Sequence, residues 1–198
     1  PSRKSAMTDT TALPHRLLEV VENDILPLNA QGIALGNKPF GAAILRKSDL
    51  SLVIAEGHNG AESPLWHGEM HALKRFYELP SRPDVSELIF LATHEPCTMC
   101  MSAITWAGFD NFFYVLGHED MDDPLSPPLG PRIMKEVFGL APDGYRHRNA
   151  FWVATALADL IAAAGPGERP GLEARRAGIK ARYADLAAAF SVASGNSK

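Results

Sequence analysis

The sequence predicts an α/β fold built on a parallel central sheet, and three features carry that expectation. Between residues 67 and 116 helix-like and strand-like patterns alternate twice over, an order that calls for right-handed crossovers between parallel neighbours. Upstream lie two short β-rich runs, 41–46 and 52–57, close enough to pair. The chain also has enough apolar matter for a real core, 46% hydrophobic against 21% charged over 198 residues.

Taken in order, Leu17, Leu18, Val20, Val21, Ile25 and Leu26 recur at helical spacing, and Pro27, Asn29 and Gly32 mark the exit from that first helix. The runs 41–46 and 52–57 flank polar Lys47-Ser48-Asp49, which reads as a hairpin. Met70, Leu73, Phe76 and Tyr77 define a helix over 67–79, ended by Pro80 and Pro83, and a buried strand follows at 87–93. Pro96 opens the next helix, where its missing N–H costs nothing; Gly108 closes it, and 111–116 is another buried strand. Residues 118–128 form an acidic, proline-rich loop long enough for a lid or pocket wall. Helices are expected at 131–139, 149–164 and 172–193, the last two joined by a hinge at 165–171. The domain organisation expected is a mobile end over residues 1–12 and one catalytic domain over 13–198, whose helical extension begins near 149.

The net charge of -4 gives no basic field to attract a phosphate backbone, so long nucleic acid is disfavoured as a partner. Two cysteines three residues apart make no disulfide scaffold, and no apolar run is long enough for a membrane span or a secretory signal. A reducing, cytoplasmic setting and a small-molecule partner fit these totals.

The chemistry lies in His67-Gly68-Glu69 at the start of one expected helix and Pro96-Cys97-Thr98-Met99-Cys100 at the start of the next. A catalytic zinc needs three protein ligands and one open position, and His67, Cys97 and Cys100 supply an imidazole and two thiolates. A C-x-x-C in a first helical turn puts both sulfurs on one side, where the helix dipole favours thiolate. In a parallel sheet both helix starts lie at the carboxyl edge of the strands, so His67 can reach the pair. Glu69 is better placed beside the metal's water than as a fourth ligand, and is assigned proton transfer.

Together His67-x-Glu69 and Pro96-Cys97-x-x-Cys100 resemble the cytidine deaminase superfamily, and within it the branch of cytosine, guanine and tRNA-adenosine deaminases. Pro39-Phe40-Gly41-Ala42, Gly57-His58-Asn59 and Glu95 extend the likeness over 39–117. The resemblance implies a three-layer α/β/α sandwich around a mixed five-stranded sheet, with extra C-terminal helices, usually as a dimer. It implies hydrolytic deamination: Zn2+ activates water, Glu69 takes its proton, and the ring carbon bearing the amino group is attacked. It places Asn59 against the substrate ring and Phe40 and His94 in the pocket wall. Gly68 is as in fungal cytosine deaminases, whereas Thr105-Trp106-Ala107 is as in guanine deaminases, so the branch stays open.

Plainer readings stand beside these. A C-x-x-C alone also suits a thioredoxin-like redox pair, but His67-x-Glu69 one element upstream argues for metal. A structural zinc would have to recruit His71 or another histidine as a fourth ligand; His71 reads instead as a hydrogen-bonded histidine in the core or behind the ligands. Asn59 could cap a turn, Phe40 and Trp106 could be core aromatics, and His94 a satisfied loop residue. Glu119, Asp120, Asp122 and Asp123 read as a solvated loop that could also accept from a ring amidine. Arg169, Arg175, Arg176, Lys180 and Arg182 read as the wet face of an amphipathic helix. The leading function is deamination of a free nucleobase or related aminated heterocycle; a tRNA adenosine deaminase and a non-catalytic zinc-stabilised module are the alternatives.

Overall fold

A computed structural model describes residues 12–120, 129–141 and 144–195, which hold five strands and the helices around them. Of the mobile end expected over 1–12, residues 1–11 lie outside the described residues while Ala12 begins a helix, and most of the acidic loop, with Asp122 and Asp123, lies outside them too. The strands are β1 (Gly41–Arg46), β2 (Leu52–Gly57), β3 (Leu88–His94), β4 (Asn111–Leu116) and β5 (Val153–Ala156). They form one mixed sheet in the order β2-β1-β3-β4-β5. Strand β1 is antiparallel to both β2 and β3, while β3, β4 and β5 are parallel. Four strands therefore point one way, and the start of β1 meets their carboxyl ends: Gly41 pairs with Gly57, and Ala42 with Ala92.

Side chains alternate across the sheet at period two. Ala43, Leu45, Ile89, Leu91 and Val115 face one core, with α1 (Ala12–Val20), α2 (Leu26–Ile33), α6 (Leu157–Ala162) and α7 (Arg169–Ala193) over it. Ala42, Ile44, Leu88, Phe90, Phe112 and Tyr114 face the other, covered by α3 (Gly68–Glu78), α4 (Thr98–Ala107) and α5 (Leu129–Phe138). This is the three-layer sandwich with a mixed five-stranded sheet that the resemblance implies.

Five expectations need correction. Pro27 does not end the first helix: a π-helical turn at Val21–Ile25 precedes it, the Leu26 N–H bonding to the Val21 carbonyl five residues back, and the widened turn admits the ring at the start of α2. The helix expected at 149–164 is really β5 followed by the short α6, because Val153 to Ala156 find a parallel partner in β4, from Asn111↔Val153 to Tyr114↔Ala156. Trp106 is not a core residue but 92% exposed, since α4 buries Cys100, Met101 and Ile104 and a position two residues on faces the other way. The C-terminal cations are not simply solvated. Arg175 pairs with Glu22 at 2.7 Å, and Arg176 and Lys180 both pair with Asp120, whose side chain is 12% exposed. Asp120 is thus no solvated loop residue either.

Among the described residues no helix is long and apolar enough to cross a membrane.

Candidate active site

Two helix starts meet at the carboxyl edge of the sheet. His67 is the residue before the first turn of α3 and Cys97 the residue before the first turn of α4, both in extended backbone conformations. Gly68 explains how closely α3 approaches: a Cβ there would lie 2.5 Å from the Cα of Gly41, so only glycine lets the helix rest on the start of β1. Strand β3 delivers His94 and Glu95 to the same edge, with Pro96 and Cys97 directly behind them.

The three ligand candidates come together as expected. His67 Nδ1 lies 3.7 Å from Cys97 Sγ and 3.6 Å from Cys100 Sγ, and the sulfurs are 3.6 Å apart. A tetrahedral zinc, with bonds of about 2.3 Å to sulfur and 2.0–2.1 Å to nitrogen, spaces its ligand atoms roughly 3.6–3.8 Å apart. The triangle has those dimensions, and the donor set of one imidazole and two thiolates is one that zinc takes. Among the described residues, this is the group of three or more potential ligands that could hold a metal ion. Among the described residues no fourth histidine, cysteine or carboxylate joins the group, and a three-ligand set is what a site that binds water or substrate requires.

Charge in the triangle is arranged to receive a cation. The Cys97 thiol is lowered to about 4, first by its contact with Cys100 and then by His67. Cys100, fully buried, is pushed up by the Cys97 contact and by burial, so the metal-free pair carries one negative charge. Glu69 is 7% exposed, and burial, with the Cys97 charge behind it, raises its carboxyl to about 7. A carboxyl beside the metal position that takes and releases protons near neutrality is suited to acid–base work.

The flanking residues divide into those facing the site and those holding it. Phe40 and His94 meet edge to face at 4.6 Å, and His58 lies 5.6 Å from His67, ring to ring. Burial lowers His94 to about 3 and His58 to about 4, so both rings are neutral. Asn59 donates from Nδ2 to Glu62 at 2.7 Å, and its N–H bonds to the Trp66 carbonyl at 2.8 Å, so it also shapes the loop leading to His67. His71 stands behind the ligands as read from sequence, with Nδ1 2.9 Å from the Gly57 carbonyl and 3.4 Å from Glu56.

The buried carboxylate of Glu95 was legible only as part of a family motif, and its partners were not legible at all. It accepts from the His118 N–H at 3.0 Å and from the Tyr145 hydroxyl at 2.5 Å, with His118 Nδ1 at 2.9 Å. Burial would raise its pKa, but these hydrogen bonds outweigh burial and hold it below the usual range. Glu95 thus ties the segments around 118 and 145 to the turn that carries Cys97. Neither His118 nor Tyr145 sits in a local pattern that could have announced this.

Residues 24–116 match the model of the cytidine and deoxycytidylate deaminase zinc-binding region. A guanine deaminase of Bacillus subtilis is 32% identical over 97 residues, 47% of this chain and 60% of that protein. A cytosine deaminase of Candida albicans is 35% identical over 77 residues, 37% of this chain and 49% of that protein. The matches therefore span about half to three-fifths of those relatives' length. Among solved structures, a guanine deaminase from Nitrosomonas europaea shares the fold at a TM-score of 0.52 and 19% identity, over 88% of this chain and 84% of that one.

Proposed function

We propose that this chain, whose residues 24–116 match the model of the cytidine and deoxycytidylate deaminase zinc-binding region, is a zinc-dependent hydrolytic deaminase of a free nucleobase of the guanine or cytosine type. The observation that carries the reading is the His67–Cys97–Cys100 triangle with the buried carboxyl of Glu69 beside it. A structural metal site has no use for such a carboxyl, and a redox pair has none for His67.

The triangle would hold Zn2+, which supplies a Lewis acid able to make water nucleophilic near pH 7. Glu69 accepts the proton that the water loses and returns protons to the ring nitrogen and to the departing ammonia. Neutral Phe40 and His94 wall the flat face of the base, and Asn59, oriented by Glu62, holds its polar edge. The guanine and cytosine deaminase relatives support a small heterocycle as substrate. The charge of -4, and the commitment of Arg175, Arg176 and Lys180 to ion pairs, weigh against a tRNA substrate.

The protein acts in the cytoplasm as a homodimer in this proposal. Exposed Trp106 of α4, Val137 and Phe138 of α5 and Phe151 before β5 support a self-association face, since α4 and α5 cover the same side of the sheet and large apolar side chains left in water favour burial against a partner.

The deciding experiment measures ammonia release by zinc-loaded protein across free bases, nucleosides and an aminated pteridine, with Glu69→Gln as control. Release from one free base that depends on Glu69 is expected. Release only from a nucleoside or an RNA, or none from any compound, would overturn the reading.

A further inference from the structure

The C-terminal helix reaches the site through a buried polar network. Tyr183 of α7 is 3% exposed and Asn29 of α2 1%, and the Tyr183 hydroxyl donates to Asn29 Oδ1 at 3.0 Å. The other end of the same amide donates to the Phe40 carbonyl at 2.7 Å, which also accepts from the His58 N–H at 2.7 Å. One residue on, the Gly41 N–H donates to the fully buried Thr93 Oγ1 at 3.0 Å. Gly41 is the surface on which Gly68 and the start of α3 rest. The Tyr183 ring, meanwhile, meets His94 edge to face at 4.9 Å, on a ring that Phe40 also meets.

Filling the core at this point needs only a phenylalanine ring. The hydroxyl adds something else: by donating to Oδ1 it fixes which way the Asn29 amide points, and so keeps Nδ2 aimed at Phe40. Burial pushes the Tyr183 phenol well above its ordinary pKa, so it remains a donor across the working range of pH. Without that donor the buried Oδ1 is unsatisfied and the amide is released to rotate.

We infer that Tyr183 and Asn29 are positioning residues: from α7 and α2 they hold the Phe40–Gly41 segment and His94 in register with the helix start that carries His67 and Glu69. The consequence for substrate rests on the deaminase reading; the positioning itself does not.

The test is Tyr183→Phe in the zinc-loaded, full-length protein. Amide hydrogen exchange at residues 57–59, where the His58 N–H reports on Phe40, is expected to accelerate about tenfold while β4 and α5 stay as they were. Zinc content stays equal to wild type, and KM for the deaminated base rises roughly 5–10-fold with kcat within about twofold. Arg176→Gln, which loosens α7 elsewhere, is the control and leaves 57–59 unchanged. Unaltered exchange at 57–59, acceleration throughout the molecule, or the same local effect from Arg176→Gln would each overturn the inference, as would local acceleration with an unmoved KM. If the wild type deaminates none of the bases, the functional reading fails by itself, and the exchange comparison still decides the network.

Discussion

At the scale of single residues, Glu69 and Gly68 have separable duties. Glu69 lies beside the ligand triangle without belonging to it, so Glu69→Gln is expected to cut deamination about 10²–10⁴-fold while zinc content by metal analysis stays at one per chain. Gly68→Ala should instead act through the metal site, and lower activity with it. Its Cβ would press on the Gly41 backbone at 2.5–2.8 Å, which cannot yield as a side-chain tip can, so the start of α3 must lift and carry His67 away from the sulfurs. Zinc affinity measured by chelator competition then falls roughly 10–100-fold. His94 makes a prediction about pH. Its folded pKa is about 3 against 6.5 for the free side chain, so below 6.5 the unfolded state takes up a proton that the folded state does not. Stability is therefore complete above 6.5 and falls as pH drops towards 3, by at most about 1.4 kcal/mol per pH unit from this group. Denaturant melts of metal-free protein at pH 7 and 5 should differ less in His94→Gln than in wild type.

At the scale of elements, α7 is fastened at both flanks of the sheet. Arg175 reaches Glu22 in the π-helical turn, Arg176 donates to the Val115 carbonyl, and Arg176 and Lys180 share Asp120 just past β4. Removing the shared carboxylate strands two cations, one of them well covered. Asp120→Ala is expected to cost about 1–2 kcal/mol, less than a fully buried pair because Lys180 is half exposed. For a chain of this size that lowers the melting temperature by roughly 2–8 °C, and added salt should narrow the difference. The same pairing commits the charges of Arg175, Arg176 and Lys180 to partners within the fold.

For the molecule as a whole, the exposed apolar residues of α4, α5 and the segment before β5 carry the prediction about assembly. If they form the dimer face, Trp106→Glu should yield a monomer by light scattering at concentrations where wild type is dimeric, because a carboxylate would be buried without a partner. A dimer that survives the change would place the interface elsewhere.

Much of the site could be read directly from two short segments, because metal ligation draws on few residue types and fixed spacings: His67, Glu69, Cys97 and Cys100 carry their chemistry in their names. The strands from 41 to 116 were equally plain, since short continuous apolar runs bounded by turn residues, glycine or proline are local signals. Strand β5 was not. Val153-Ala154-Thr155-Ala156 is four residues long among helix formers, and it is a strand because the open edge of β4 pairs with it. Nor could Tyr183 be connected with Asn29, 154 positions away, or Glu95 with Tyr145 and His118. Periodicity reports which face of an element is buried, but not what buries it. Partners of that kind exist only once the layers have closed, when a hydroxyl and an amide shut off from water must find each other.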